Sequence, residues 1–249
     1  RIEATDYYRR HFAPNNAILV VAGDVSPAEV RSMAEAEYGP LPAREMMTHI
    51  DYAQPPRLGE TRLTLALRSA RVPEFLRLYR VQSYAEAAPG RAEALAVLAE
   101  LLGGDSASAL YRKLVLERRL ATDVTVAYDG YARDAGEFSI RARPRPGVPL
   151  EALEHAIDDT LARFLHRPPA HAELKRAEKQ LAADAVFRRD NPFDTASAYG
   201  RALAVGLTLQ DVSGWPVRIE SVSGEAVAKA AAASLVRKEA VTVYLTPAR

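Results

Sequence analysis

Histidine is the side chain best suited to metal binding or proton transfer near neutral pH, and this chain has five, at positions 11, 49, 155, 166 and 171. None stands three or four residues from another, so no helix can present two of them on one face, and the two-histidine zinc motif is missing. His166 and His171 flank Pro168-Pro169, and His155 sits among Glu151 and Glu154, which reads as surface in each case. There is no cysteine, which removes disulfides, thiolate nucleophiles and cysteine-bound zinc. A zinc site needs three or four convergent ligands, and no local run supplies them. Read from its residues, the chain has no metal site.

Carboxylates are the next candidates. Glu151 with Glu154, and Asp158 with Asp159, could pair as general acid and base. Set among Ala and Leu in a helical stretch, they read as a solvated helix face instead. Gly103-Gly104-Asp105-Ser106 precedes a helical segment, and a helix amino terminus can hold an anion. Without the P-loop lysine or a clear preceding strand, the four residues read as a helix stop followed by a cap, with Asp105 or Ser106 capping the next helix. Ser106 and Ser108 lack the strand–elbow context and the nearby base of a serine hydrolase. No catalytic residue is assigned.

The elements that would position any site follow from periodicity and breakers. Residues 2–11 read as the end of a helix, and 17–22 (AILVVA) as a buried strand ending at Gly23-Asp24. Ser26-Pro27-Ala28-Glu29 has a capping serine, a first-turn proline and a glutamate that can reach back, so a helix runs from there to Tyr38 and stops at Gly39-Pro40. Residues 41–59 hold Pro42, Pro55 and Pro56 without sustained periodicity, as a linker does. Residues 61–67 alternate, which predicts a strand with one buried face, and 74–84 offers a second strand. A helix over 91–102 carries Leu95, Leu98, Leu101 and Leu102; a hairpin is predicted over 124–128 and 137–143. Helices over 150–166, 172–189, 193–207 and 224–235 precede a closing strand at 240–245. Strands and helices come in runs, which predicts an α+β fold with helices packed on a mixed or antiparallel sheet. The scattered Tyr7, Tyr8, Phe12 and Trp215 read as core and boundary residues.

Charge and hydropathy narrow the partners. With 33 Lys and Arg against 32 Asp and Glu the net charge is +1, so no clustered positive excess points to nucleic acid or anionic lipid. The apolar run ending at Gly23 is far short of the ~20 residues that cross a bilayer. The chain starts at Arg1, within what reads as a helix, which predicts a C-terminal piece of a longer protein.

One resemblance adds to this. Tyr7-Tyr8-Arg9-Arg10-His11-Phe12-Ala13-Pro14-Asn15-Asn16-Ala17, followed by Val20-Val21-Ala22-Gly23-Asp24-Val25, resembles the pitrilysin/insulinase zinc metallopeptidases, above all their bacterial, processing-peptidase-like branch. The likeness continues through Tyr38-Gly39-Pro40-Leu41-Pro42, Ser108-Ala109-Leu110-Tyr111 and Ile219-Glu220-Ser221-Val222-Ser223. It implies paired homologous α+β domains enclosing a peptide, with zinc held only by the first, through an inverted His-x-x-Glu-His helix and a distant Glu. No such helix occurs here, and by family order it precedes Arg1. The division implied is 1–41 as the tail of the zinc-type domain, 42–60 as linker and 61–249 as the C-terminal non-catalytic domain.

In that family the second domain or a partner subunit contributes an arginine and a tyrosine, seven positions apart, that hold the substrate backbone. Aligning Leu110-Tyr111-Arg112-Lys113-Leu114 with the family helix puts Val115 at the arginine place and Thr122 at the tyrosine place. Neither replaces what it stands for, so no substrate-binding residue is carried over, and Arg112, Arg118 or Arg119 would serve only in another register. The resemblance implies no cofactor in this chain and zinc in its parent. It also implies a peptide substrate for the parent and a homo- or heterodimer with a family subunit. The competing implication is an assembly or scaffold subunit without peptidase activity. With its sheet partners absent, the strand at 17–22 is expected to drive self-association.

Overall fold

In the computed structural model, residues 2–45, 55 and 59–248 are described. Five alternating or apolar segments become β1 (Thr61–Leu67), β2 (Glu74–Val81), β3 (Ala121–Asp129), β4 (Gly136–Pro144) and β5 (Val241–Pro247), in the order β1-β5-β2-β4-β3. β1 runs parallel to β5, and the other neighbours are antiparallel. The sheet is therefore mixed and the fold α+β, as the sequence predicts.

The period of two assigns the core face. Phe75, Tyr79 and Val81 of β2, Val124 and Val126 of β3, and Phe138, Ile140 and Ala142 of β4 are buried. Against them pack α3 (Arg91–Gly103), whose Leu95, Leu98 and Leu102 are fully buried, and α5 (Leu150–His166) through Leu153 and Ile157. Between α3 and β3 lies a short α4 (Ala109–Tyr111), continued as a π-helical turn over Arg112–Glu117. The rest is α6 (His171–Phe187), α7 (Pro192–Ala204), α8 (Leu209–Ser213), α9 (Trp215–Glu220) and α10 (Gly224–Ser234). The short α8 and α9 escape the periodicity reading, since neither reaches two full turns.

Gly103 lets α3 approach the sheet: a Cβ there would lie 2.5 Å from Val126 Cγ2 and 2.7 Å from the Val126 amide nitrogen. β1 departs from expectation, because all seven of its residues are exposed. Among the described residues it is a sheet edge, paired only with β5.

The amino-terminal part forms α1 (Ile2–His11) and α2 (Pro27–Tyr38). The capping box at α2 is present, with the Glu29 amide donating to Ser26 Oγ at 3.2 Å and the Ser26 amide to Glu29 Oε2 at 3.0 Å. Arg44 ties this part to itself, donating from Nη1 to the carbonyls of Arg9 and Phe12 at 3.1 and 3.2 Å. None of it enters the main core, whose first residue among the described ones is Phe75. Two expectations fail here. Residues 17–22 are not a strand, and Ile18, Leu19 and Val21 are about half exposed. The segment is apolar enough to be a strand, but the sheet ends at β1 and β3 and neither pairs with it; unpaired backbone cannot form a ladder. Tyr7, Tyr8 and Phe12, expected at the core boundary, are more than half exposed, stacked only on local neighbours such as His11.

Candidate functional site

The corner from α4 to β3 carries the two places at which the family resemblance expects a substrate clamp. Its turn is wound as a π-helix: the Arg118 amide reaches back to the Lys113 carbonyl at 2.9 Å and the Leu120 amide to the Leu114 carbonyl at 2.8 Å. Single π turns recur at functional sites because they redirect side chains. Here the redirection separates the two places. Val115 is buried and joins the core. Thr122 is exposed at an irregularity of the β3–β4 ladder and donates from Oγ1 to the Arg143 carbonyl at 3.3 Å. Of the arginines nearby, Arg112 faces Glu117 at 3.7 Å and Arg118 faces Asp159 at 3.6 Å. Arg119 closes the turn with φ 52, the one positive φ at a non-glycine residue among the described residues.

The Gly103-Gly104-Asp105-Ser106 segment does not hold an anion site open. Asp105 already places a carboxylate there, accepting from the Ala107 amide at 2.9 Å and pairing with Arg176. The cap expected of Asp105 or Ser106 falls elsewhere: α4 begins after Ser108, and no side chain caps it. Ser106 is exposed and Ser108 fully buried.

The helix face carrying the carboxylates is not simply solvated. Glu151, His155 and Asp159 are exposed, but Glu154 is 4% exposed and Asp158 half-buried. They meet Arg77, whose guanidinium occupies a core position of β2 between Phe75 and Tyr79 and has no solvent exposure. Arg77 donates from Nη2 to Glu154 Oε1 at 2.5 Å, from Nε to Thr242 Oγ1 at 3.0 Å, and from Nη1 to Asp158. Arg62 of β1 grips Glu154 bidentately at 2.8 and 2.6 Å, Arg237 donates to Asp158 at 2.8 Å, and the Tyr244 hydroxyl donates to Glu154. Thr242 in turn donates to Glu60 at 2.8 Å. Arg62, Arg77 and Arg237 thus balance Glu60, Glu154 and Asp158. Burial by itself would raise the Glu154 pKa, but hydrogen bonds from Arg62 and Tyr244 and the Arg77 charge outweigh it and bring it down to about 2. Arg77 and Glu154 so held are charged partners, not a poised acid and base.

A cavity of about 340 Å³ lies between α3, β3 and the α6–α9 layer. Tyr84, Tyr128, Tyr131, Tyr199 and Trp215 wall it, and Ala96 and Ala99 of α3 leave room at its floor. The Trp215 indole donates to the Tyr84 hydroxyl at 2.7 Å, and the Tyr84 and Tyr131 rings lie 5.2 Å apart. Glu100 also lines it. It is 9% exposed, its Oε1 has no hydrogen-bond partner, and burial, then the nearby Asp105, raises its pKa. Arg188, Arg189 and Asp194 stand at the mouth. Sequence reading misses this site because its walls come from elements far apart in the chain.

Among the described residues the histidines do not converge. His11 hydrogen-bonds the Tyr7 carbonyl at 3.1 Å and stacks on the Tyr7 ring, His155 and His171 are exposed, and His49 lies outside the described residues. Among the described residues no group of three or more His, Asp or Glu could hold a metal ion.

Residues 2–181 match the family model described as the peptidase M16 inactive domain. The chain is 25% identical over 195 residues to a zinc protease PqqE of Helicobacter pylori, covering 78% of this chain and 43% of that protein. It is 26% identical over 212 residues to an uncharacterized zinc protease, ML0855, of Mycobacterium leprae, covering 81% and 44%. The chain spans less than half the length of both relatives. In fold it is similar to a protease from Helicobacter pylori, with a TM-score of 0.81 at 21% identity over 91% of this chain and 54% of that one. It is also similar to a peptidase M16 inactive domain from Pseudomonas fluorescens, with a TM-score of 0.74 at 20% identity over 91% and 53%.

Proposed function

Because this chain belongs to the M16 peptidase family, through the domain described as inactive, we propose that it is the non-catalytic C-terminal portion of a zinc metalloendopeptidase. In this reading it closes the peptide chamber opposite the zinc-bearing domain and takes part in subunit pairing. Residues 1–41 are the tail of the zinc-type domain, 42–60 the linker and 61–249 the non-catalytic domain; a core that among the described residues starts only at Phe75 supports the division.

The observation that carries the reading is the separation of Val115 from Thr122. One side chain is in the core and the other on the sheet edge, so this domain offers wall rather than clamp. The donor set does not fit zinc: the chain has no cysteine, and its described histidines stand singly. The metal, which would activate water for peptide hydrolysis, belongs to the part of the relatives that this chain does not cover. The exposed leucines of β1 and the half-exposed Ile18, Leu19 and Val21 supply apolar surface for pairing.

The test is zinc analysis and peptidase assay on the whole protein, alone and mixed with the product of a neighbouring family gene, beside this chain by itself. Zinc-dependent turnover is expected from the whole protein or the mixture, and none from this chain. Turnover by this chain would overturn the reading. Absence of both metal and activity from the whole protein and from the mixture would leave the scaffold role in its place.

A further inference from the structure

The proposed function makes no use of the aromatic cavity, yet it has the attributes of a ligand site. Its volume of about 340 Å³ falls within the ~300–1,000 Å³ usual for small-ligand pockets. Five aromatic side chains wall it, and rings pack well against rings in offset or edge-to-face arrangements. Glu100 also lines it, but its unpartnered Oε1 is turned towards Gly104 and closed off from the cavity, so it offers a ligand no acceptor.

The mouth has the opposite polarity. Arg188 donates from Nε to the Asp184 carbonyl at 3.2 Å, but neither it nor Arg189 forms an ion pair among the described residues. Asp194, which lines the mouth with them, lies in the first turn of α7, where the helix end offsets its charge, and Asp190 follows Arg189 outside the lining. The ligand this arrangement fits has a carboxylate at one end and an aromatic body.

We propose that the cavity seats the C-terminal residue of a peptide ending in an aromatic residue. The ring lies against Trp215 and the carboxylate sits at Arg188 and Arg189. Guanidinium groups bind a carboxylate through paired, charge-assisted hydrogen bonds, which an amide cannot match. A chain that has just been cut exposes such a carboxylate, so the site fits a product end rather than an uncut segment. The inference goes beyond the proposed function and is tested without the zinc domain, so failure of one leaves the other standing.

Trp215 is the single tryptophan of the 249 residues, so its emission reports the cavity directly. The probes are the tripeptide Ala-Ala-Tyr with acetylated amino terminus, as acid and as C-terminal amide, and N-acetyltyrosine. The acid is expected to change Trp215 emission saturably and to bind about tenfold more tightly than the amide, as loss of one charge-assisted contact implies. Arg188→Ala with Arg189→Ala should bring acid and amide together, and Ala96→Leu, which fills the floor, should abolish the response. Far-UV circular dichroism checks both variants; if Ala96→Leu does not fold, the arginine pair still decides. No saturable response, equal binding of acid and amide, or indifference to the arginine pair would overturn the proposal. N-acetyltyrosine binding as tightly as the tripeptide would overturn the peptide assignment in favour of a free amino acid.

Discussion

Arg77 of β2 donates to Glu154 of α5 across the covered face of the sheet, Nη2 to Oε1 at 2.5 Å, with its guanidinium fully withdrawn from solvent. The pair joins strand to helix at a place where the alternation of β2 would otherwise put an apolar residue. Removing Arg77 leaves Glu154 to Arg62 and Tyr244 and Asp158 to Arg237, so the loss is that of charge-assisted hydrogen bonds, about 1.5–3 kcal/mol. Arg77→Met is therefore expected to lower unfolding stability by about that amount, measured by urea titration. Arg77→Met combined with Glu154→Leu and Asp158→Leu should recover much of the loss, because an apolar replacement of a whole buried network is often tolerated. A single variant as stable as the original would show that the charges are screened by water that the packing does not admit.

The same network sets a pH dependence. The folded-state pKa of Glu154 is depressed from 4.5 to about 2, and hydrogen bonding from Thr242 with the charges of Arg62 and Arg237 lowers Glu60 against the opposing effect of its burial. A group lowered by folding contributes stability above its unfolded pKa and loses it as pH falls through the folded one. The contribution of Glu154 should hold above pH 4.5 and vanish between there and about 2. Thermal melts of the chain and of Glu154→Gln check it: the gap between them should be widest near neutral pH and close on acidification. A gap independent of pH would refute the ionic account.

Gly103 tests how tightly α3 meets β3. Alanine would favour the helix by about 1 kcal/mol on intrinsic propensity. Its Cβ, however, would sit 2.7 Å from the Val126 amide nitrogen, a backbone atom that cannot step aside. Gly103→Ala is expected to destabilise by about 1–3 kcal/mol, the usual range for overpacking. Val126→Ala should not rescue it, since the backbone clash remains.

The turn before β3 offers a substitution of the other sign. Arg119 holds φ 52, and the left-handed region costs an L-residue about 1–2 kcal/mol, while glycine loses about 0.5–1 kcal/mol in chain entropy. Arg119→Gly is expected to stabilise by about 0.5 kcal/mol, readable as a raised urea midpoint at constant slope. Restoring the family pair should fail nearby: Val115→Arg buries a charge in the core and should destabilise strongly, while Thr122→Tyr, on the exposed edge, should not.

What the sequence discloses depends on how local the signal is. The capping box of α2, the helix over α3 and the β3–β4 hairpin rest on neighbours a few residues apart and are readable without tertiary contacts. The parallel pairing of β1 with β5 joins strands from opposite ends of the sheet-forming region, and no local pattern marks it. The ionic network was legible in part. On α5 the apolar positions Leu150, Leu153, Ile157 and Leu161 define the core stripe, and Glu154 and Asp158 fall within it at helical spacing. Carboxylates in an apolar stripe demand a buried cation, and Arg77, between Phe75 and Tyr79 on the alternate positions of β2, is that cation. The aromatic cavity had no such trace, because only folding brings Tyr84, Tyr128 and Trp215 together.

Self-association follows from the edges, though not at the segment the sequence singles out. Residues 17–22 form no strand, whereas among the described residues β1 is an edge, paired with β5, with Leu63, Leu65 and Leu67 each more than 40% exposed. An edge strand with free backbone groups and apolar side chains is a template for another strand. The chain is expected to associate with concentration in sedimentation velocity, and Leu65→Lys should suppress this by setting a charge on the edge. Ile18→Lys with Val21→Lys should do less, because residues without strand geometry cannot extend a sheet. If the second variant dissociates the chain and the first does not, the amino-terminal segment is the contact and the β1 edge is silent.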